Sequence, residues 1–229
     1  MPLCLAIKRS FLEEMDFWKG IPQSGSKLCG MVGLSKTEIR QILQLIQENG
    51  KFKEREGPEG IERKPEWQQV IFYGVIRKGS QFFVYQRGRA GSGYKEKRLQ
   101  AKLSIGIGGH IEPFDNTLMH SLYREVDEET VFLSCGQKIE KIELNNGRGV
   151  VNIEILGLLK DDSDEVGTVH LGLVCQIDIL NPGIEVRIRE TGENIRGRIM
   201  DLQECQDWAA QEGMVFENWT KIVMDYLIH

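Results

Sequence analysis

Apolar positions along the chain change period several times, and each change marks an element. Leu118, Leu122 and Val126 recur at i, i+4 and i+8, predicting a helix with one apolar side. Immediately before it, residues 103–109 form an apolar, glycine-punctuated run, which predicts a strand feeding through a short turn into that helix. Ser35 with Glu38 three residues on makes a capping box. Ile39, Ile42, Leu43 and Ile46 then hold the helical period until Asn49-Gly50 ends it. From Trp67 the period falls to two. Residues 69–77 and 81–87 flank Lys78-Gly79-Ser80 and predict a hairpin. Residues 137–144 and 149–160 predict paired strands across Asn145-Asn146-Gly147, and 166–180 a further strand. Residues 200–211 and 216–228 predict two terminal helices, the second with Trp219, Ile222, Val223 and Tyr226 on one side. At the start, 2–7 reads as a short strand and 11–19 as a helix, whereas 20–33 and the charged 51–64 read as loops.

Strands before and after the central helix, with helices at the end, suit an α/β architecture in which a mixed sheet lies between helices. Residues 1–66 read as an N-terminal extension containing a helix, packed as cover on a main domain of residues 67–229. A chain of 229 residues suits one domain with such an extension. The composition, 41% hydrophobic and 28% charged, argues against wholesale disorder, and a formal charge of −5 gives no support to nucleic-acid binding. Five cysteines are scattered, odd in number and never in a CxxC pair, so a reduced cytoplasmic setting is expected and no zinc pattern is present. No apolar run approaches membrane-spanning length, and the opening residues turn charged too early for a secretory signal. No membrane partner is expected.

The candidate chemistry lies on the central helix, in Arg124-Glu125-Val126-Asp127-Glu128-Glu129. Glu125, Glu128 and Glu129 share a face, within about 6 Å of helix rise. Carboxylates that close repel unless positive charge lies between them. Arg124 is one partner, and a hard divalent cation, Mg²⁺ or Mn²⁺, is another. A solvated acidic face is the bland alternative, but the apolar side of the helix and the Gly108-Gly109 entry favour a ligand-binding arrangement.

These residues resemble the Nudix box, whose pattern is Gly, five residues, Glu, seven residues, Arg-Glu-U-x-Glu-Glu-x-Gly-U, with U aliphatic. Gly109 fits the first glycine, with His110 to Phe114 as the five spacers. Asp115 stands in the place of the first glutamate, eight residues instead of seven follow, and 124–129 match the core without a gap. Val131 takes the place of the last glycine, and Phe132 the final apolar position.

The resemblance implies a Nudix-type α/β/α sandwich and hydrolysis of a diphosphate linkage in a small-molecule substrate, a nucleoside diphosphate joined to another group. It implies metal ligation by Glu125, Glu128, Glu129 and the Gly109 carbonyl, with Arg124 holding the glutamates. Glu112 and Asp115 would stabilise the turn into the helix. The general base would be a box glutamate or one from a late loop, here Glu190 or Glu193. Arg87 and Arg98, in a basic segment leading to Gly108-Gly109, are candidates for substrate phosphate, and Tyr73, Phe72 and Tyr85 for a base platform. A homodimer follows by analogy. Two other readings stay open: a Nudix-like binding or regulatory module without catalysis, and an isoprenoid diphosphate isomerase using Cys135. His170, alone in an apolar strand, is expected to be a hydrogen-bonded core residue, and 161–165 a solvated acidic turn.

Overall fold

A computed structural model describes residues 2–14, 17–21, 23–24, 27–88, 102–189 and 197–228. The chain opens with β1 (Leu3–Lys8) and α1 (Arg9–Glu14), followed by a single 3₁₀ turn, Phe17–Gly20. Next come β2 (Gln23–Ser24), β3 (Lys27–Gly33), α2 (Lys36–Asn49) and β4 (Lys51–Glu54). The long strand β5 (Trp67–Lys78) turns into β6 (Gln81–Gln86). β7 (Leu103–Ser104) and β8 (Gly106–Ile107) then lead to α3 (Leu118–Glu129). β9 (Thr130–Ser134), β10 (Gln137–Lys138), α4 (Ile142–Asn145), β11 (Val151–Asp161), α5 (Glu165–Thr168) and β12 (His170–Ile179) follow. β13 (Ile184–Ile188), β14 (Gly197–Met200), α6 (Leu202–Glu212) and α7 (Asn218–Ile228) complete the described chain.

The main sheet runs β14-β6-β5-β12-β11-β3-β2. β5 and β12 are parallel, from His170↔Gln69 to Asp178↔Arg77, and the other neighbours along this path are antiparallel. Side chains of β5 alternate between two cores, as a pleated strand demands. Val70, Phe72 and Ile76 join Ile42 and Ile46 of α2 and Leu122 and Val126 of α3. Tyr73 and Val75 join Cys205, Trp208 and Ala209 of α6 and Val223 and Met224 of α7. The sheet therefore lies between helices, an α/β/α sandwich with a mixed sheet. A second, small antiparallel sheet, β10-β9-β13, sits beside α3.

Several sequence expectations change. The segment 20–33, read as loop, contains β3, whose Gly30 and Gly33 pair with β11, and 51–64 contains β4, which pairs with β1. The pairing crosses the boundary placed at residue 66, because β1 also pairs with β5. Segments 1–66 and 67–229 thus share one sheet. The strand pairing expected across Asn145-Asn146-Gly147 does not form. Residues 142–145 are a helical turn, β10 pairs with β9, and β11 pairs with β12 and β3. The glycine-interrupted β3 and the charged β4 take strand form because a neighbour's edge is available, a tertiary effect that local pattern does not carry.

Candidate functional site

The helix that bears the acidic cluster begins at Thr117, whose side chain accepts from the His120 N–H. Leu122 and Val126 are fully buried, and each contributes about 2 kcal/mol by leaving water. At the other end the chain leaves through Thr130 in an extended conformation, φ −127°, and passes straight into β9. No left-handed residue is needed there, so β-branched Val131 fits where the box pattern has glycine. The extra residue before the core lies in the turn ahead of the helix and does not interrupt it.

Arg124 is the hub. Its Nε and Nη2 donate to the two oxygens of Asp115 at 3.0 and 3.1 Å, and Nη2 also donates to the His110 carbonyl at 3.0 Å. Nη1 donates to Glu125 at 2.8 Å and to Glu128 at 3.3 Å. Asp115 thus takes the role of the expected glutamate despite its shorter side chain. Its Oδ2 also accepts the Glu112 N–H at 2.8 Å, and its side chain is fully buried. Burial pushes the Asp115 pKa up, but the Arg124 and Glu112 hydrogen bonds outweigh it and hold the group below the usual carboxylate range.

The two glycines before the helix have different reasons to be glycine. Gly108 has φ +152°, and a Cβ there would lie 1.9 Å from the Phe72 carbonyl oxygen. A Cβ on Gly109 would instead meet the Glu125 carboxylate, 2.5 Å from Oε1. The carboxylate is therefore laid against the Gly109 backbone. Burial raises the Glu125 pKa even with Arg124 beside it, so the anion is under-compensated by the protein alone. Glu128 is largely exposed, and Glu129 stands four residues beyond Glu125 on α3. Hard oxygen donors of this kind suit Mg²⁺ or Mn²⁺. As the side chains stand, Arg124 fills the space between Glu125 and Glu128, and among the described residues no three acidic, imidazole or thiol groups converge on a metal-sized point.

Behind the box loop lies a buried polar relay that the sequence did not signal. His110 Nε2 contacts Gln69 Oε1 at 2.9 Å and His170 Nε2 at 3.3 Å. Gln69 in turn receives the Cys4 thiol and donates to Glu62. The Leu5 N–H donates to the Ile111 carbonyl at 2.9 Å, so β1 holds the box loop directly. His170 is buried, as expected, with Nδ1 against the Val166 carbonyl at 2.6 Å.

Two residues expected to contact substrate lie in a buried hydrogen-bonded network. Tyr73 is buried, and its hydroxyl sits between Glu217 at 3.0 Å and Thr220 at 2.9 Å. Arg87 pairs with the same Glu217 at 2.8 Å and is only 13% exposed. Glu217, 3% exposed, needs both neighbours and Ser104 to offset its burial, so Tyr73 and Arg87 tie the start of α7 to the sheet. Phe72 and Tyr85 are buried as well, whereas Phe114 of the box loop is exposed and lies over Arg124. Arg98, Glu190 and Glu193 lie outside the described residues. Cys135 is exposed in the β9–β10 turn with φ +49°. In the 161–165 turn, Asp162 is not solvated but buried against Lys160 and Arg9. Among the described residues, no helix is long and apolar enough to cross a membrane.

No family model matches the chain. The Bacillus subtilis protein YmaB is 32% identical over 166 residues, covering 72% of this chain and 74% of YmaB. The solved structure of Tm1382, a candidate Nudix hydrolase, superposes with a TM-score of 0.64 at 22% identity over 98% of this chain and 97% of that one. With the box geometry and the sandwich in place, the chain belongs to the family of YmaB and has the fold of Tm1382.

Proposed function

We propose that the protein is a divalent-metal-dependent hydrolase of a diphosphate linkage in a nucleoside diphosphate derivative. The observation that carries this reading is the placement of the Glu125 carboxylate against the Gly109 backbone, with Arg124 bridging it to Glu128. Glu125, Glu128, Glu129 and the Gly109 carbonyl would hold Mg²⁺ or Mn²⁺. Such an ion, when bound, neutralises diphosphate oxygens and lowers the pKa of a coordinated water. Arg124 fixes the direction of Glu125 and Glu128 through charge-assisted hydrogen bonds, and Asp115 fixes Arg124 from the other side. To hold a cation, Glu128 would turn from Arg124 toward Glu125, whose carboxylate already lies against the Gly109 backbone. Glu125, buried and with its pKa raised, is suited to accept a proton from an attacking water; Glu190 remains a second candidate.

The test is a Mg²⁺-dependent screen of a diphosphate panel, following release of nucleoside monophosphate, with Glu128→Gln alongside. The expected result is metal-dependent turnover of at least one compound by the parent, lost in the variant. Mg²⁺ should also raise the melting temperature of the parent and not of Glu128→Gln. A parent that neither turns over nor responds to Mg²⁺ would leave the binding-module reading in its place.

A further inference from the structure

One flank of α3 borders a cavity of about 480 Å³. His120, Tyr123, Arg124, Asp127 and Glu128 of the helix form one wall, and Lys138, Glu140, Lys141 and Arg189 form the other. Most of this charge is already spoken for. Arg124 is held by Asp115, Glu125 and Glu128, His120 by Asp115, and Lys138 pairs with Glu140 at 2.8 Å. Asp127 accepts the Ile142 N–H at the start of α4.

Two cations remain. Lys141 and Arg189 form no ion pair among the described residues. Arg189 is nevertheless oriented, because its Nε and Nη2 both donate to the Thr130 carbonyl, at 3.4 and 3.2 Å, and the residue lines the cavity. Lys141 stands in a left-handed backbone conformation, φ +52°, which a lysine adopts only under constraint. Strain held at the wall of a cavity, next to an oriented guanidinium, is the pattern of a binding site more than of a surface loop.

We infer that this cavity binds the phosphate group of a phosphorylated small molecule, with Lys141 and Arg189 as its cationic contacts. A guanidinium with one edge anchored presents the other to a tetrahedral oxyanion, and a lysine adds a point charge. The cavity far exceeds a phosphate in volume, and Tyr123 supplies an aromatic wall for an organic body. Its hydroxyl is fixed by Asn146 at 3.2 Å. Asp127 is the opposing charge. Its proximity is offset by the Ile142 N–H it accepts and by Arg189 and Lys138 around it. Arg124 and Glu128 border both this cavity and the proposed metal site, but the two cations assigned to the phosphate come from the β10–α4 turn and from the residue after β13.

Inorganic phosphate is the probe, titrated in EDTA against the full chain by thermal shift and calorimetry, so that no metal captures it at the glutamates. The variants are Lys141→Gly, whose residue accepts φ +52° without strain, and Arg189→Gln. Saturable stabilisation of the parent is expected, with binding weakened about five-fold or more in each variant. The unliganded melting temperature of Lys141→Gly should be no lower than that of the parent. An equal phosphate response in parent and variants, or no saturable response in the parent, overturns the inference. Because the titration excludes metal, neither result bears on diphosphate hydrolysis.

Discussion

Replacing Asp115 by Asn tests whether the box is held together through Arg124. The carboxylate receives Arg124 Nε and His120 Nδ1 on one oxygen, and Arg124 Nη2 and the Glu112 N–H on the other. An amide keeps one acceptor and puts an NH₂ where the second oxygen was, facing a guanidinium N–H in either orientation. One charge-assisted hydrogen bond, about 1.5–3 kcal/mol, is lost, and a buried donor is left opposed to another donor at a further cost of about 1–3 kcal/mol. The Asp115 side chain is fully buried and that of Arg124 is 12% exposed, so solvent screens little of this. We expect a loss of about 3 kcal/mol, read as a lower urea midpoint at unchanged slope and a fall in melting temperature of about 6–12 °C. The pH dependence has a definite sign. The folded-state pKa of Asp115 lies below the unfolded value, so its contribution is complete above about pH 4 and fades as pH falls through the folded pKa. The parent and variant curves should therefore converge in acid. A loss below about 1 kcal/mol at neutral pH, or a difference that persists at the lowest pH, would refute the hub.

Two further outcomes follow from the geometry around the box. Gly108→Ala should be far more damaging than most glycine substitutions, by about 3 kcal/mol or more, because backbone at φ +152° and a carbonyl 1.9 Å from the new Cβ leave nothing flexible to yield. Chemical denaturation measures it, and an alanine variant of parental stability would contradict the described turn. His170 is buried, and desolvation lowers its pKa to about 4. A lowered histidine pKa leaves the unfolded chain holding more protons between about pH 6.5 and pH 4. Stability should therefore fall as pH drops through that window, and His170→Gln should make that part of the profile shallower, with His110 beside it, its pKa also lowered by burial, carrying the rest.

Residues 124–129 were legible in the sequence because a single helix turn places them by its own geometry, and the apolar period told which side was buried. The capping box at Ser35 and Glu38 formed as read, since it needs only residues three apart. Partners distant in the chain were not legible. Nothing local links Gln69 to His110, or Glu217 to Tyr73 and Arg87. Tyr73 was read as an aromatic platform and Arg87 as a cation of a basic, glycine-rich segment; that both bond to the buried Glu217 carboxylate was not legible. Asp115 was read as a turn stabiliser; its role as the anchor of Arg124 appears only when the turn and the helix are folded together. Strands β3 and β4 were missed for the same reason, their pairing being set by neighbours across the sheet.

The Leu5 N–H bond to the Ile111 carbonyl, with Cys4 and Gln69 beneath His110, ties the loop ahead of α3 to β1. A loop so anchored is a poor candidate for opening and closing during turnover. Adjustment to an incoming ligand then falls to side chains, above all Glu128, which is 60% exposed and held by a 3.3 Å contact with Arg124. Variants that loosen β1 should consequently impair the box from more than a hundred residues away, without touching any group that meets the ligand.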